Sequence, residues 1–340
     1  MKQENKLMPL VQSFFHEYLV AHRGLSQNTI AAYRDALKLF FAFESSRQNK
    51  PALKLTLEDL NAETVLAFLN QIESKRHNSI VTRNSRLAAL RTFCLYLSTK
   101  DTLRIGEYQK IMVLPIKRAP RKVMNYLTID EINSILEAID QKEFTGQRDY
   151  VLLKLLYNTG ARVQEICDLK VNSITFGHVP IVTIIGKGNK TRHVPIWPET
   201  AKLLQNYLKI TQLSGQPNAS LFMNLQGTPL GRFGVRYIIK QRCLAAQEQC
   251  PSLKNKPIGP HTFRHTIAMH FLQAGIDLSI IKSWLGHVNL ATTHAYIEID
   301  MEMKRKALTV CSPVGKSPPL KKLLDKNKDV LTWLGSLSAN

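Results

Sequence analysis

Apolar periodicity runs through two long stretches of this chain and lapses between them. From Ser98 to Asn125 it fades, prolines stand at 115 and 120, and the basic tract KRAPRK occupies 117–122. Such a break in a chain of 340 residues, more than one hydrophobic core usually organises, predicts two separately packed bodies. The first is placed at 1–100, a basic linker at 101–125, the second body at 126–311, and a tail at 312–340 set off by SPVGKSPP. The linker is either a solvated tether or a segment that orders against a polyanion.

The first body reads as a helical bundle. Leu10, Phe14, Tyr18 and Leu19 form one apolar stripe. Ser26 is placed to cap a second helix carrying Ile30, Tyr33, Leu37, Phe40 and Phe41, and a third runs near Glu63 to Ile72. A fourth, about Ser79 to Tyr96, turns Leu87, Leu90, Phe93, Cys94 and Leu97 inward. Its Arg83, Arg86 and Arg91 form either a solvated charged face or contacts to phosphate.

The second body opens on a capping-box match, Thr128-Ile-Asp-Glu131. The apolar run Tyr150 to Thr159 ends at Gly160, where a turn presents Arg162, and Glu165 three residues later is placed to orient it. One convincing β region follows: Val179 to Ile185, a glycine-rich turn GKGNK at 186–190 with Lys187 at its tip, and a return strand Arg192 to Ile196. Pro198 to Ser214 is helical again. Gly231 to Gln249 is a basic helix with Arg232, Arg236, Lys240 and Arg242.

His261 to Tyr296 carries the densest set of start and stop signals. Gly259-Pro260 opens a helix that Gly275 ends, with His261 and Arg264 on one face. Asp277 caps a shorter helix that closes at Leu285, Gly286 suits a left-handed residue there, and His287 emerges just beyond. Asn289 then starts a helix near whose first turns lies Tyr296. In the tail, Leu320, Leu323, Leu324, Leu331 and Leu334 share a face if helical, which suits docking on the parent domain or on a neighbouring copy.

Charge narrows the partners. Lys and Arg number 46 against 26 acidic residues, a net +20. Before residue 120 the count is 18 basic to 10 acidic, which leaves 28 to 16 after it, so the halves carry +8 and +12. Both fit a polyanion, and nucleic acid fits better than anionic lipid because no basic amphipathic anchor stands out. The opening MKQENKLMPL has no apolar signal core and no run of about 18 uncharged apolar residues occurs, so a cytoplasmic protein with no membrane partner is expected. Cys94, Cys167, Cys243, Cys250 and Cys311 are scattered without a CxxC pair, which suggests reduced thiols. Neither HExxH nor GxxxxGK[ST] occurs, so chemistry with no metal and no nucleotide cofactor is expected.

TGARVQEICDL, GKGNKTRHVPI, HTFRH, LGH and the final tyrosine, in that order, closely resemble the tyrosine recombinase (phage integrase) family, including its Xer-like members. The likeness covers about residues 8 to 300. It implies a mainly α (α+β) protein: an N-terminal four-helix SAM-like core-binding bundle, then a mixed α catalytic domain with a small antiparallel β-sheet. It also implies roles. Tyr296 would be the nucleophile, Arg162 and Arg264 the phosphate clamps, Lys187 the general acid, and His261 and His287 phosphate or proton partners, with His261 the acceptor. Arg83, Arg86, Arg91, Arg192, Arg232, Arg236 and Lys240 are the expected DNA contacts.

The resemblance further implies double-stranded DNA with inverted half-sites as partner, a homodimer on each site, a homotetramer in synapsis, accessory recombination proteins, and a nucleoid-associated location. Two rivals stay open on sequence. A type IB topoisomerase uses a similar constellation to relax supercoils, and a non-catalytic DNA-binding subunit of a recombination complex would need no tyrosine. Integration, excision, dimer resolution and transposition are not distinguished.

Overall fold

Small polar residues set the helix starts of the first unit. The computed structural model describes residues 6–120, 124–186 and 188–286. Lys187, His287, Tyr296, Cys311, the tail 312–340 and positions 121–123 of the basic tract therefore lie outside the described residues. The chain divides between Lys122 and Val123 into two compact units.

In the first unit, α1 (Leu7–Ser13) runs on as a π-helical stretch, Phe14–His22. It is followed by α2 (Gln27–Arg47), α3 (Ala62–Ser74), α4 (Ile80–Ser98) and α5 (Ile105–Met112). Ser26 accepts from the Thr29 N–H at 3.4 Å, as expected, and Ser79 does the same for Thr82 at 3.3 Å. Asn61 and Thr64 cap each other's backbone N–H at 3.0 and 3.2 Å. Phe14, fully buried, centres an aromatic cluster with Phe93 at 4.9 Å and Tyr96 at 5.4 Å between ring centroids. Phe40, Phe68, Leu90 and Leu97 complete the core, each such side chain contributing about 1.5–3 kcal/mol by leaving water.

Two sequence expectations fail in this unit. The stretch expected to be linker from residue 101 is folded at its start: α5 buries Tyr108 and Ile111 completely, and the Tyr108 hydroxyl donates to Asp101 at 2.8 Å. Two turns with Gly106 inside offer too few apolar repeats for a periodicity to register. Beyond α5, Asn84 of α4 donates to the Lys117 carbonyl at 2.8 Å and accepts from the Lys117 N–H at 3.3 Å.

The second correction concerns α4. Arg83 is buried, with its guanidinium against Glu73 and on Asn84 Oδ1 at 3.2 Å, so it braces the bundle and is unavailable to DNA. Arg86 donates to the Ala32 carbonyl at 3.2 Å, and Arg91 donates to the carbonyl of Leu114. Helical spacing shows which residues share a face, but not that a second element covers that face.

The second unit holds α6 (Ile129–Glu137), α7 (Phe144–Thr159), α8 (Val163–Cys167), then β1 (Ile174–Thr175), β2 (Ile181–Ile185) and β3 (Thr191–Pro195). It continues with α9 (Pro198–Ile210), α10 (Arg232–Ala246), α11 (Pro260–Gln273) and α12 (Leu278–Leu285). The Thr128–Glu131 capping box forms, and Glu131 also takes the Lys256 ammonium at 2.7 Å, tying the start of α6 to the segment before α11. The strands form an antiparallel sheet in the order β1-β2-β3; β1 is a short addition to the expected hairpin. Val182, Ile184 and Val194 point into a core shared with Leu152, Leu156, Leu204, Ile239 and Phe263. A smaller cluster of Ile267, Met269, Leu272, Ile281 and Leu285 packs α11 against α12. Among the described residues no helix is long and apolar enough to cross a membrane.

Candidate active site

Two backbone turns converge on one guanidinium. α7 stops at Gly160, whose φ of +58° only glycine adopts without strain, and a Cβ there would lie 2.6 Å from Leu285 Cδ2 and 2.9 Å from Ile267 Cγ2. α12 stops at Gly286 with φ +64°. Arg264, one turn into α11 and 3% exposed, donates through Nη1 to the Gly160 carbonyl at 2.7 Å and through Nη2 to the Leu285 carbonyl at 2.6 Å. Those carbonyls lie at helix C-termini, where oxygens lack intrahelical partners, so the guanidinium satisfies two chain ends and is itself held in one orientation.

Two residues past Gly160, Arg162 stands at the entrance to α8. Its backbone N–H donates to Glu165 Oε2 at 2.8 Å and its Nη1 to Glu165 Oε1 at 2.8 Å, so Glu165 orients the arginine as the sequence suggested. Burial opposes ionisation of Glu165, but hydrogen bonds and charge from Arg192 and Arg162 outweigh it and hold the carboxyl below the usual carboxylate range. Glu165 is therefore an ionised orienting group and not an acid.

His261 sits in the first turn of α11, after Pro260, and is exposed. Partial loss of water, then the charges of Arg264, Arg162 and Arg236, push its pKa below the ordinary histidine value. The imidazole is thus proton-free at neutral pH and able to accept. His265, one turn on, stacks beside it at 6.4 Å between centroids, and burial, His261 and Arg264 push it down to about 4. A helix N-terminus with cations and neutral imidazoles around it suits a phosphodiester.

α10 supplies a second basic element. Arg232, Arg236 and Lys240 are exposed along one stripe, beside Phe233 and Tyr237, which are 72% and 64% exposed. The helix is tied down from behind by Arg242, which donates to Asp149 of α7 at 2.9 and 2.6 Å, while buried Arg148 takes the other Asp149 oxygen.

Of the six residues expected to do chemistry, the structure brings Arg162, His261 and Arg264 together; Lys187, His287 and Tyr296 lie outside the described residues. Gly186 and Gly286, which precede Lys187 and His287 in sequence, both abut the cluster: a Cβ on Gly186 would meet Glu165 Oε1 at 3.2 Å, and one on Gly286 would meet Arg192 Cδ at 3.1 Å. The expectation of Arg192 as a DNA contact is corrected, because its side chain is 11% exposed and bonded to Glu165 and the Trp284 carbonyl. Strand alternation carried the signal: Arg192 shares a face with Val194 and Ile196. His265 was also missed; its i+4 spacing from His261 was the available clue.

Residues 125–303 match the phage integrase family, and residues 12–100 match its N-terminal SAM-like domain. Integrase/recombinase y4rC of Sinorhizobium fredii, a provisional name, is 35% identical over 99% of this chain and 100% of its own length. Tyrosine recombinase XerC of Thermodesulfovibrio yellowstonii is 30% identical over 89% of this chain and 96% of its own. Among solved structures, XerH site-specific recombinase bound to palindromic difH substrate superposes with a TM-score of 0.67 at 22% identity, covering 91% of this chain and 90% of that one.

Proposed function

Because this chain belongs to the phage integrase family, whose members are tyrosine recombinases, we propose that it is a site-specific recombinase that breaks and rejoins DNA through a 3′-phosphotyrosyl intermediate. The Tyr296 oxygen attacks phosphorus and the bond to the 5′ oxygen breaks. His261 takes the phenolic proton and Lys187 supplies one to the leaving 5′ hydroxyl. Arg162 and Arg264 face the non-bridging oxygens, where negative charge builds in the transition state; one such donor is worth about 2.7–4 kcal/mol in comparable sites. His287 adds a hydrogen bond. The phosphotyrosyl bond retains the energy of the phosphodiester, so a 5′ hydroxyl from another strand reverses the chemistry without ATP and passes through a Holliday junction.

The observation that carries this reading is the placing of His261 beside Arg264, whose orientation two carbonyls impose, on one turn of α11. Near full-length likeness to proteins named recombinases favours strand exchange over topoisomerase-like relaxation. The partner is double-stranded DNA with inverted half-sites, bound by a dimer and synapsed as a tetramer, in the cytoplasm with the nucleoid. Incubation with a nicked suicide duplex tests the chemistry. The wild-type chain should form a denaturation-resistant covalent adduct, and Tyr296→Phe should bind the duplex without forming it; an adduct with that variant would remove Tyr296 from the role.

A further inference from the structure

Arg192 of β3 lies directly opposite Ile184 of β2, and Val194 lies opposite Val182. Cross-strand partners project from the same face, so the Arg192 side chain leaves the hairpin on the side of three fully buried aliphatic residues. A guanidinium there requires partners, since a buried unpaired charge is strongly unfavourable. Its partners come from separate elements. Nη2 donates to Glu165 Oε2 at 2.6 Å, and Nε donates to the Trp284 carbonyl in the last turn of α12 at 3.1 Å. Backbone at both motif glycines passes close by: a Cβ on Gly186 would meet Nη1 at 3.5 Å, and one on Gly286 would meet it at 3.2 Å.

We propose that Arg192 is a positioning residue for strand cleavage, fixing through one planar fork the Glu165 carboxylate that aims Arg162, the end of α12 that precedes His287, and the base of the turn that carries Lys187. It does so without touching DNA. Two guanidiniums share one carboxylate, so the cluster keeps a net positive charge toward the phosphate. Without Arg192, Glu165 would pair with Arg162 alone and draw it back from the substrate. A lysine at 192 has one compact charge and cannot hold the carboxylate and the Trp284 carbonyl in the same fixed geometry. The inference deepens the recombinase reading and rests on it.

The test uses the full chain and two readouts, half-site affinity and the single-turnover rate of covalent adduct on a nicked suicide duplex, for Arg192→Ala and Arg192→Lys. Affinity and its salt dependence should stay at the wild-type level while adduct formation slows on the order of 100-fold, the usual effect of misplacing reacting groups by about 1 Å. Added guanidinium ion should restore adduct to the alanine variant and leave Tyr296→Phe inert. A wild-type rate in either folded variant, a loss of affinity that accounts for the loss of rate, or no restoration in a folded alanine variant would overturn the assignment. Should the alanine variant fail to fold, the lysine variant decides by the same two readouts. No adduct from the wild-type chain would instead overturn the recombinase reading and this assignment with it.

Discussion

The Nη1 group of Arg264 donates to the carbonyl oxygen of Gly160 at 2.7 Å, so the arginine of one motif is seated by the turn that presents the arginine of another. The two arginines proposed to clamp the phosphate are therefore not independent. Arg264→Lys should lower the rate of covalent adduct roughly 100- to 1000-fold while half-site affinity changes little, because the ammonium cannot bridge two carbonyls and still offer a planar face. Single-turnover cleavage beside a gel-shift titration measures both.

Gly160→Ala should destabilise the second unit by at least about 2 kcal/mol, since it adds left-handed strain to a collision with Leu285 and Ile267. Both side chains belong to the small cluster that packs α11 against α12. The midpoint of urea unfolding should fall with its slope unchanged, and an unchanged midpoint would show that the turn relaxes freely.

His265 predicts a pH effect on stability. Its folded pKa is pushed from 6.5 to about 4, so between those values the unfolded chain binds the extra proton and the folded chain does not. The contribution is complete above 6.5 and is lost as pH falls toward 4, up to about 3 kcal/mol at 1.36 kcal/mol per unit. Denaturant midpoints measured from pH 7 to pH 4.5 should drop less steeply for His265→Gln than for the wild-type chain.

The exposed stripe of α10 predicts a signature in salt. Replacing Arg232, Arg236 or Lys240 by alanine should weaken half-site binding and make the slope of log affinity against log salt shallower by roughly 1 for each phosphate left without its cation. The charge of Arg236 acts on His261 as well, so Arg236→Ala should also raise the pH below which cleavage fails. A variant with full affinity and an unaltered slope would exclude that residue from the interface.

Legibility along the chain followed the range of the interaction involved. The caps at Ser26, Thr128 and Asp277, the stops at Gly160 and Gly286, and the inward faces of α2 and α4 were readable because each depends on residues within a turn or two. α5 escaped notice because two turns are too short to declare a period. Arg83 and Arg192 were misassigned because a basic residue on a helix or strand looks solvated until the covering element is known.

By itself the sequence indicated two bodies, several helix caps and stops, the β-hairpin and the order in which the arginines, histidines and final tyrosine of the family's motifs occur. Only the tertiary structure decided that Arg264 spans the ends of α7 and α12, that Glu165 serves two guanidiniums, and that Arg192 faces inward. Periodicity and capping are local and recur every few residues, so one chain displays them directly. Pairing of buried charges is a demand that any distant segment can meet, and only the packed core selects which one does.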